Sequence, residues 1–411
     1  MPASSGAGGA GRRPAGPGLY VHVPFCAAKC HYCDFASVPS GSADRVAGGR
    51  HERFVDAVLE RARVLAREEG IGPFATVYVG GGTPTLLAPA LLGRLLEGLR
   101  ALAPGAAEIT VEANPESLDG DCLAALEASG ATRISLGVQS LENAALAAAG
   151  RRASAADART ALGLLAARWK GALSVDLMSG LPGGTPEGLA LSAREALAAG
   201  AKHVSLYELT LEEATPLARA VGAGTLSLPD DGLRGETQAA VEAVLAGGGL
   251  FRYEVSNWAA RGWECLHNLN YWAAGEWVGA GPSAAGQKRL PDGGARRRAA
   301  PASVDRFLAD PAADERIELV PPREAFFEAL MLGLRTVRGV DLRGLEERFG
   351  SAAARLALDF AASRPDALAF AGGAIAPTAR GLDILNPVLV ELVELVERRF
   401  PAVSGTAASG A

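Results

Sequence analysis

Between residue 19 and about residue 249, short β-branched runs alternate six times with longer stretches whose apolar residues recur every three or four positions. Such a chain is constrained to parallel strands joined by helical crossovers, because parallel neighbours need a long connection and an amphipathic helix supplies it. The strand runs are 19–23, 76–79, 108–112, 133–138, 173–177 and 203–209, with helical patterns between them, for example at 53–69, 89–103 and 189–199. Eight such units close a barrel. Six predict an α/β chain with a partial (βα)6, TIM-like barrel, open on one side to admit a large substrate.

The 411 residues exceed what one core usually holds, so a second unit is expected. The pattern breaks after 250. A connecting segment at 251–320 is aromatic-rich to Trp277 and Gly/Pro/Arg-rich from 279 to 301. Helical patterns resume near Pro322 and define a C-terminal helical domain at 321–398, winged-helix-like in its order of elements. Low-complexity tails are expected at 1–18 and 399–411. The first lacks the apolar stretch of a secretory signal, and no run of eighteen apolar residues predicts a membrane span, which leaves peripheral membrane contact open. A net charge of -6 argues against coating nucleic acid. The basic residues Lys288, Arg289 and Arg296 to Arg298 are expected on a solvated, flexible loop.

Three of the five cysteines, Cys26, Cys30 and Cys33, fall within eight residues directly after the first strand, where barrel active-site loops begin. This usage suits a metal site in a reducing compartment, hence the cytoplasm, better than a disulfide framework. Three soft thiolates can hold a [4Fe-4S] cluster and leave one iron open to an amino-carboxylate chelate, such as the methionine end of S-adenosylmethionine (SAM). Zinc, with His31 as fourth ligand, is the competing metal. Gly80-Gly81-Gly82-Thr83-Pro84 follows the second strand and allows a ligand close to the backbone, although such a triplet can be only a turn. Glu112, Gln139 and Asp176 end the next three strands, so polar groups recur on one rim.

These motifs, together with Glu112-Ala-Asn-Pro115, Gly137-Val-Gln139, Gly150-Arg151, Asp176-Leu-Met-Ser-Gly-Leu-Pro182 and Tyr253-Glu-Val-Ser-Asn-Trp258, resemble the porphyrin-related radical SAM proteins. That group contains oxygen-independent coproporphyrinogen III dehydrogenase and the heme chaperones similar to it. The resemblance implies a cluster on Cys26, Cys30 and Cys33, and SAM surrounded by Tyr20, Tyr32, Gly81, Gly82, Thr83, Glu112, Gln139, Arg151 and Asp176. Gly81, Gly82 and Thr83 would meet the methionyl end, and the Arg151 guanidinium suits a carboxylate. Ala153 stands where the family usually has a histidine.

Two features choose between the branches. Phe35 occupies the position where the dehydrogenase carries a further cysteine, and only the tail precedes Tyr20. His267-Asn-Leu-Asn-Tyr271-Trp272 matches the HNxxYW signature of the heme chaperones, which implies His267 as a heme ligand and an acceptor heme protein as partner. The bland reading makes the aromatic residues core and His267 a satisfied polar group. Cys265 is either a second heme-site group or a small buried residue, as Cys122 is expected to be in the helix after Asp119. The sequence expectation is a heme chaperone, with oxidative decarboxylation of coproporphyrinogen III as the alternative.

Overall fold

The computed structural model describes residues 16–44 and 48–400; most of the two expected tails lies outside the described residues. Six parallel strands form in the expected places: β1 (Gly18–Val23), β2 (Thr76–Gly81), β3 (Glu108–Ala113), β4 (Arg133–Gln139), β5 (Ala172–Ser179) and β6 (His203–Glu208). Their side chains are buried on both faces, most completely in β4, as parallel strands covered by helices require. Helices such as Arg50–Glu69, Pro89–Leu102 and Pro186–Ala198 close the crossovers. Leu92, Leu95, Leu96 and Leu99, spaced three and four apart, bury one face of the second of these.

The segment expected to connect two domains instead extends the sheet at both edges. β7 (Phe251–Arg252) and β8 (Asn257–Ala259) add to β6, and β9 (Trp277–Ala280) pairs in parallel with β1. β10 (Ala285–Arg289), β11 (Ala295–Ala299) and β12 (Arg316–Val320) continue it antiparallel. The twelve-stranded order is β12-β11-β10-β9-β1-β2-β3-β4-β5-β6-β8-β7.

The basic run is therefore not a flexible loop. Arg296, Arg297 and Arg298 lie on β11, where Arg296 pairs with Glu69, Arg297 with Glu328, and Arg298 with Glu68 and Asp314. Reading charge density alone missed that each guanidinium has a carboxylate from a neighbouring element.

The C-terminal part packs a separate core, with Phe326, Leu330, Phe360, Val388 and Leu392 at its centre. Its helices Pro322–Gly333, Leu342–Phe349, Ser351–Ser363 and Leu385–Arg399 surround a small sheet of β13 (Val340–Asp341), β14 (Leu368–Ala371) and β15 (Ala374–Pro377). Gly372 and Gly373 both take positive φ in the two-residue turn between β14 and β15, which is what such a hairpin demands. Helices with this hairpin make up the element set of a winged helix. Among the described residues, no helix is long and apolar enough to cross a membrane.

Candidate functional site

The two ends of the barrel strands carry different chemistry. At the carboxyl ends a cavity of about 510 Å³ is lined by Cys26, Cys30, Tyr32, Cys33, Gly81, Gly82, Glu112, Gln139, Arg151 and Asp176. The three cysteines are free thiols, all half-buried, and close enough that their charges interact. Burial raises the Cys26 and Cys33 thiols above their ordinary range.

Backbone bonds fix this loop to the glycine turn: Gly82 N donates to Val23 O and Thr83 N to Phe25 O, both at 2.7 Å. A Cβ on Gly81 would stand 2.6 Å from the His22 ring, and one on Gly82 2.6 Å from the Phe25 carbonyl oxygen. Glycine is thus required by close approach, not only by the turn. Thr83 does not line the cavity but supports it. Its hydroxyl donates to Cys26 Sγ at 3.8 Å and accepts from Asn114 Nδ2 at 2.9 Å. Arg151 Nη2 donates to Asn114 Oδ1 at 3.1 Å, while Nη1 reaches Cys30 Sγ at 3.8 Å. A single polar relay therefore joins Cys26 to Cys30.

Opposite the thiols, Glu112 accepts from Tyr78 Oη at 2.8 Å and Gly81 N at 2.9 Å. Burial, with the nearby Asp176 charge, pushes its carboxyl up to about 7. Asp176 accepts from Ser135 Oγ at 3.1 Å, and burial raises it to about 6. Gln139 holds φ at +65° beside a register break in β4, and its buried Oε1 has no partner. Strained backbone and an unsatisfied acceptor at a cavity rim are features of ligand sites. Tyr20 sits below the rim, its hydroxyl 3.0 Å from His22 Nδ1.

The donor set fits an iron–sulfur cluster: three thiolates on one loop, a glycine cradle beside them, and buried acids able to meet a cation. It fits zinc poorly. His31, the candidate fourth ligand, instead places Nδ1 3.2 Å from Ala148 O.

At the amino ends the strands carry Thr76, Glu108, Arg133 and His203, and here the helix Leu266–Trp272 closes the barrel floor. The Glu108 carboxylate accepts from Leu266 N and His267 N, each at 3.1 Å, and pairs with Arg133 at 3.3 Å. An anion at a helix start meets the unsatisfied N–H groups there. Cys265 Sγ donates to the same carboxylate, so it is a buried structural group, and Cys122 is likewise buried after the Asp119 cap.

His267 belongs to this floor, away from the thiols. It is 0% exposed, with Nδ1 2.8 Å from Thr76 Oγ1 and Nε2 2.9 Å from Tyr271 Oη. Burial lowers its pKa to about 3, so the ring is neutral. Both ring nitrogens are hydrogen-bonded within the floor in this conformation, so the signature also builds the floor.

Sequence reasoning singled out the rim but not its supports. Asn114 lay inside a quoted motif and gave a signal; Tyr78 and Ser135 sit within ordinary strand patterns and gave none.

The Radical SAM superfamily model matches residues 20–196, and the HemN C-terminal domain model matches 320–384. Heme chaperone HemW of Mycobacterium tuberculosis (strain ATCC 25618 / H37Rv) is 41% identical over 272 residues, covering 66% of this chain and 69% of that protein. The chain belongs to the heme chaperone HemW family. HemW of Bacillus subtilis (strain 168) is similar over a longer span, 31% identical across 341 residues, 80% of this chain and 86% of the relative. In fold, coproporphyrinogen III oxidase (HemN) from Escherichia coli matches with a TM-score of 0.73 at 20% identity, over 92% of this chain and 90% of that one. That likeness extends the shared architecture beyond the barrel into the C-terminal part.

Proposed function

We propose that this chain is a heme chaperone that holds a [4Fe-4S] cluster on Cys26, Cys30 and Cys33, binds SAM across the same cavity, and passes heme to an acceptor heme protein. The observation that carries the reading is the convergence of three free thiols on the rim cavity of a chain 41% identical to a protein named heme chaperone HemW. A bound, reduced cluster supplies one electron, enough to break a sulfonium–carbon bond in SAM. The protein's own groups do the holding. Gly81 and Gly82 admit the methionyl end close to the backbone, Arg151 pairs with a carboxylate, and Glu112 and Asp176 favour an ammonium or sulfonium charge. Phe35, 63% exposed, stands at the mouth where the dehydrogenase branch has a cysteine, which favours carriage over decarboxylation.

The test is anaerobic reconstitution with iron, sulfide and SAM, followed by heme loading and incubation with an apo-heme protein. The acceptor should gain its holo spectrum while coproporphyrinogen III is left unchanged. Formation of protoporphyrinogen, or failure to bind heme, rejects the proposal.

A further inference from the structure

The end of β2 carries three residues that meet one carboxylate. Tyr78 and Gly80, two apart on the strand, share the face toward the barrel interior, and Gly81 follows at the rim. Tyr78 Oη donates to Glu112 Oε1 at 2.8 Å, and Gly81 N donates to Oε2 at 2.9 Å. Each carboxylate oxygen has its own donor, so the group is fixed in direction as well as in place. Gly80 leaves the room for it: a Cβ there would stand 2.7 Å from the Glu112 carboxyl carbon.

A charge in this seat is costly. Burial and the Asp176 carboxylate on β5 push the Glu112 carboxyl up to about 7, and the bonds from Tyr78 and Gly81 work against them. The other groups that feel its charge are phenols: Tyr20 on β1, Tyr207 on β6 and Tyr271 on the floor helix. Among the described residues no Lys or Arg pairs with Glu112, so its two donors are what favour the anion. Gly81 N is backbone and comes with the fold. The Tyr78 hydroxyl is the one side-chain donor. Burial, with the Glu112 and Asp176 charges, holds that phenol well above its ordinary range, so it keeps its proton and stays a donor. Its ring packs against His267 and Tyr20, with centroids 5.2 Å and 6.3 Å away, and these contacts aim the hydroxyl.

We propose that Tyr78 is a positioning residue of the SAM site: its hydroxyl holds the Glu112 carboxylate toward the cavity in the anionic form that meets the ligand's ammonium or sulfonium charge. The proposal rests on the reading of Glu112 as a SAM-binding group. Tyr78 does not line the cavity itself and acts through Glu112. Without the hydroxyl, Oε1 loses its donor in a buried place, and the carboxyl takes up a proton more readily. A neutral acid attracts a cation less. The effect is therefore large where that bond decides the ionisation of Glu112 and small once the medium is alkaline enough to ionise it anyway. A ring that only filled space would give an effect indifferent to pH.

The experiment is equilibrium dialysis of SAM against the anaerobically reconstituted full-length protein at pH 7 and pH 9, for wild type, Tyr78→Phe, Glu112→Gln and the double variant. Tyr78→Phe keeps the ring contacts and should weaken SAM about tenfold at pH 7 and less than about threefold at pH 9, each relative to wild type at the same pH. That ratio cancels the ligand's own ionisation. In the Glu112→Gln background the same change should cost at most about twofold at either pH, because the acid it serves is gone. Circular dichroism confirms the fold, and Tyr78→Leu, which also lacks the hydroxyl, should show the same difference between the two pH values. Wild-type-like binding by Tyr78→Phe, equal weakening at both pH values, or equal weakening with and without Glu112 overturns the proposal and leaves the SAM reading intact. Equal SAM affinity of wild type and Glu112→Gln overturns the role of Glu112 and the proposal with it. Absence of SAM binding by wild type overturns the functional reading as well.

Discussion

His267 Nδ1 and Thr76 Oγ1 lie 2.8 Å apart beneath the barrel, and this contact fixes the floor helix to the start of β2. Replacing His267 by Ala removes this bond and the one to Tyr271, and opens a void beside Tyr78, whose ring centroid lies 5.2 Å away. The expected cost is about 2–4 kcal/mol in chemical denaturation. Heme stoichiometry should not change in the same variant. A lost Soret band with unchanged stability would assign His267 the role of heme ligand.

Glu108→Gln tests the floor from the other side. The substitution leaves Arg133, 4% exposed, without its charge partner and weakens the acceptor for Leu266 N and His267 N. Breaking a buried pair by removing one partner typically costs about 3–5 kcal/mol. Thermal unfolding should fall accordingly, with iron content per folded chain unaltered.

Arg151→Gln addresses the relay between Cys26 and Cys30. The variant loses the charge that reaches Cys30 Sγ and the bonds to Asn114 and Gly137. SAM binding by the reconstituted protein should weaken about tenfold or more, since a charge-assisted bond to a carboxylate contributes roughly 1.5–3 kcal/mol. Equilibrium dialysis with labelled SAM measures it, alongside iron content as the control for the cluster itself.

The buried acids give the ligand-free protein a pH dependence of known sign. Glu112 is raised from 4.5 to about 7 and Asp176 from 3.8 to about 6. Both hold protons to higher pH folded than unfolded, so their contribution is fully present below about pH 4 and is lost as pH rises toward 7. The loss should be on the order of a few kcal/mol for the coupled pair. Urea denaturation at pH 5 and pH 8 checks this, and Glu112→Gln should flatten the slope. SAM, as a cation, should bind more tightly across the same rise in pH.

Much of this was legible in the sequence because its signals are local. The six β-branched runs predicted β1 to β6 within a residue or two, and the cysteine spacing with the rim residues Gly81, Glu112, Gln139 and Asp176 marked one cavity. What was not legible depends on long-range pairing. Arg297 looks like solvent-facing charge until β12 brings Glu318 and the helix Pro322–Gly333 brings Glu328 beside it. The place of His267 in the floor depends on Thr76, 191 positions earlier, which supplies its hydrogen bond.

The most direct measurement of the central claim is the electron paramagnetic resonance spectrum of the anaerobically reconstituted, reduced protein with and without SAM. The account predicts about four iron and four sulfide per chain, a reduced-cluster signal that shifts when SAM is added, and loss of both in Cys30→Ala. A single zinc per chain, or a cluster signal indifferent to SAM, would contradict it.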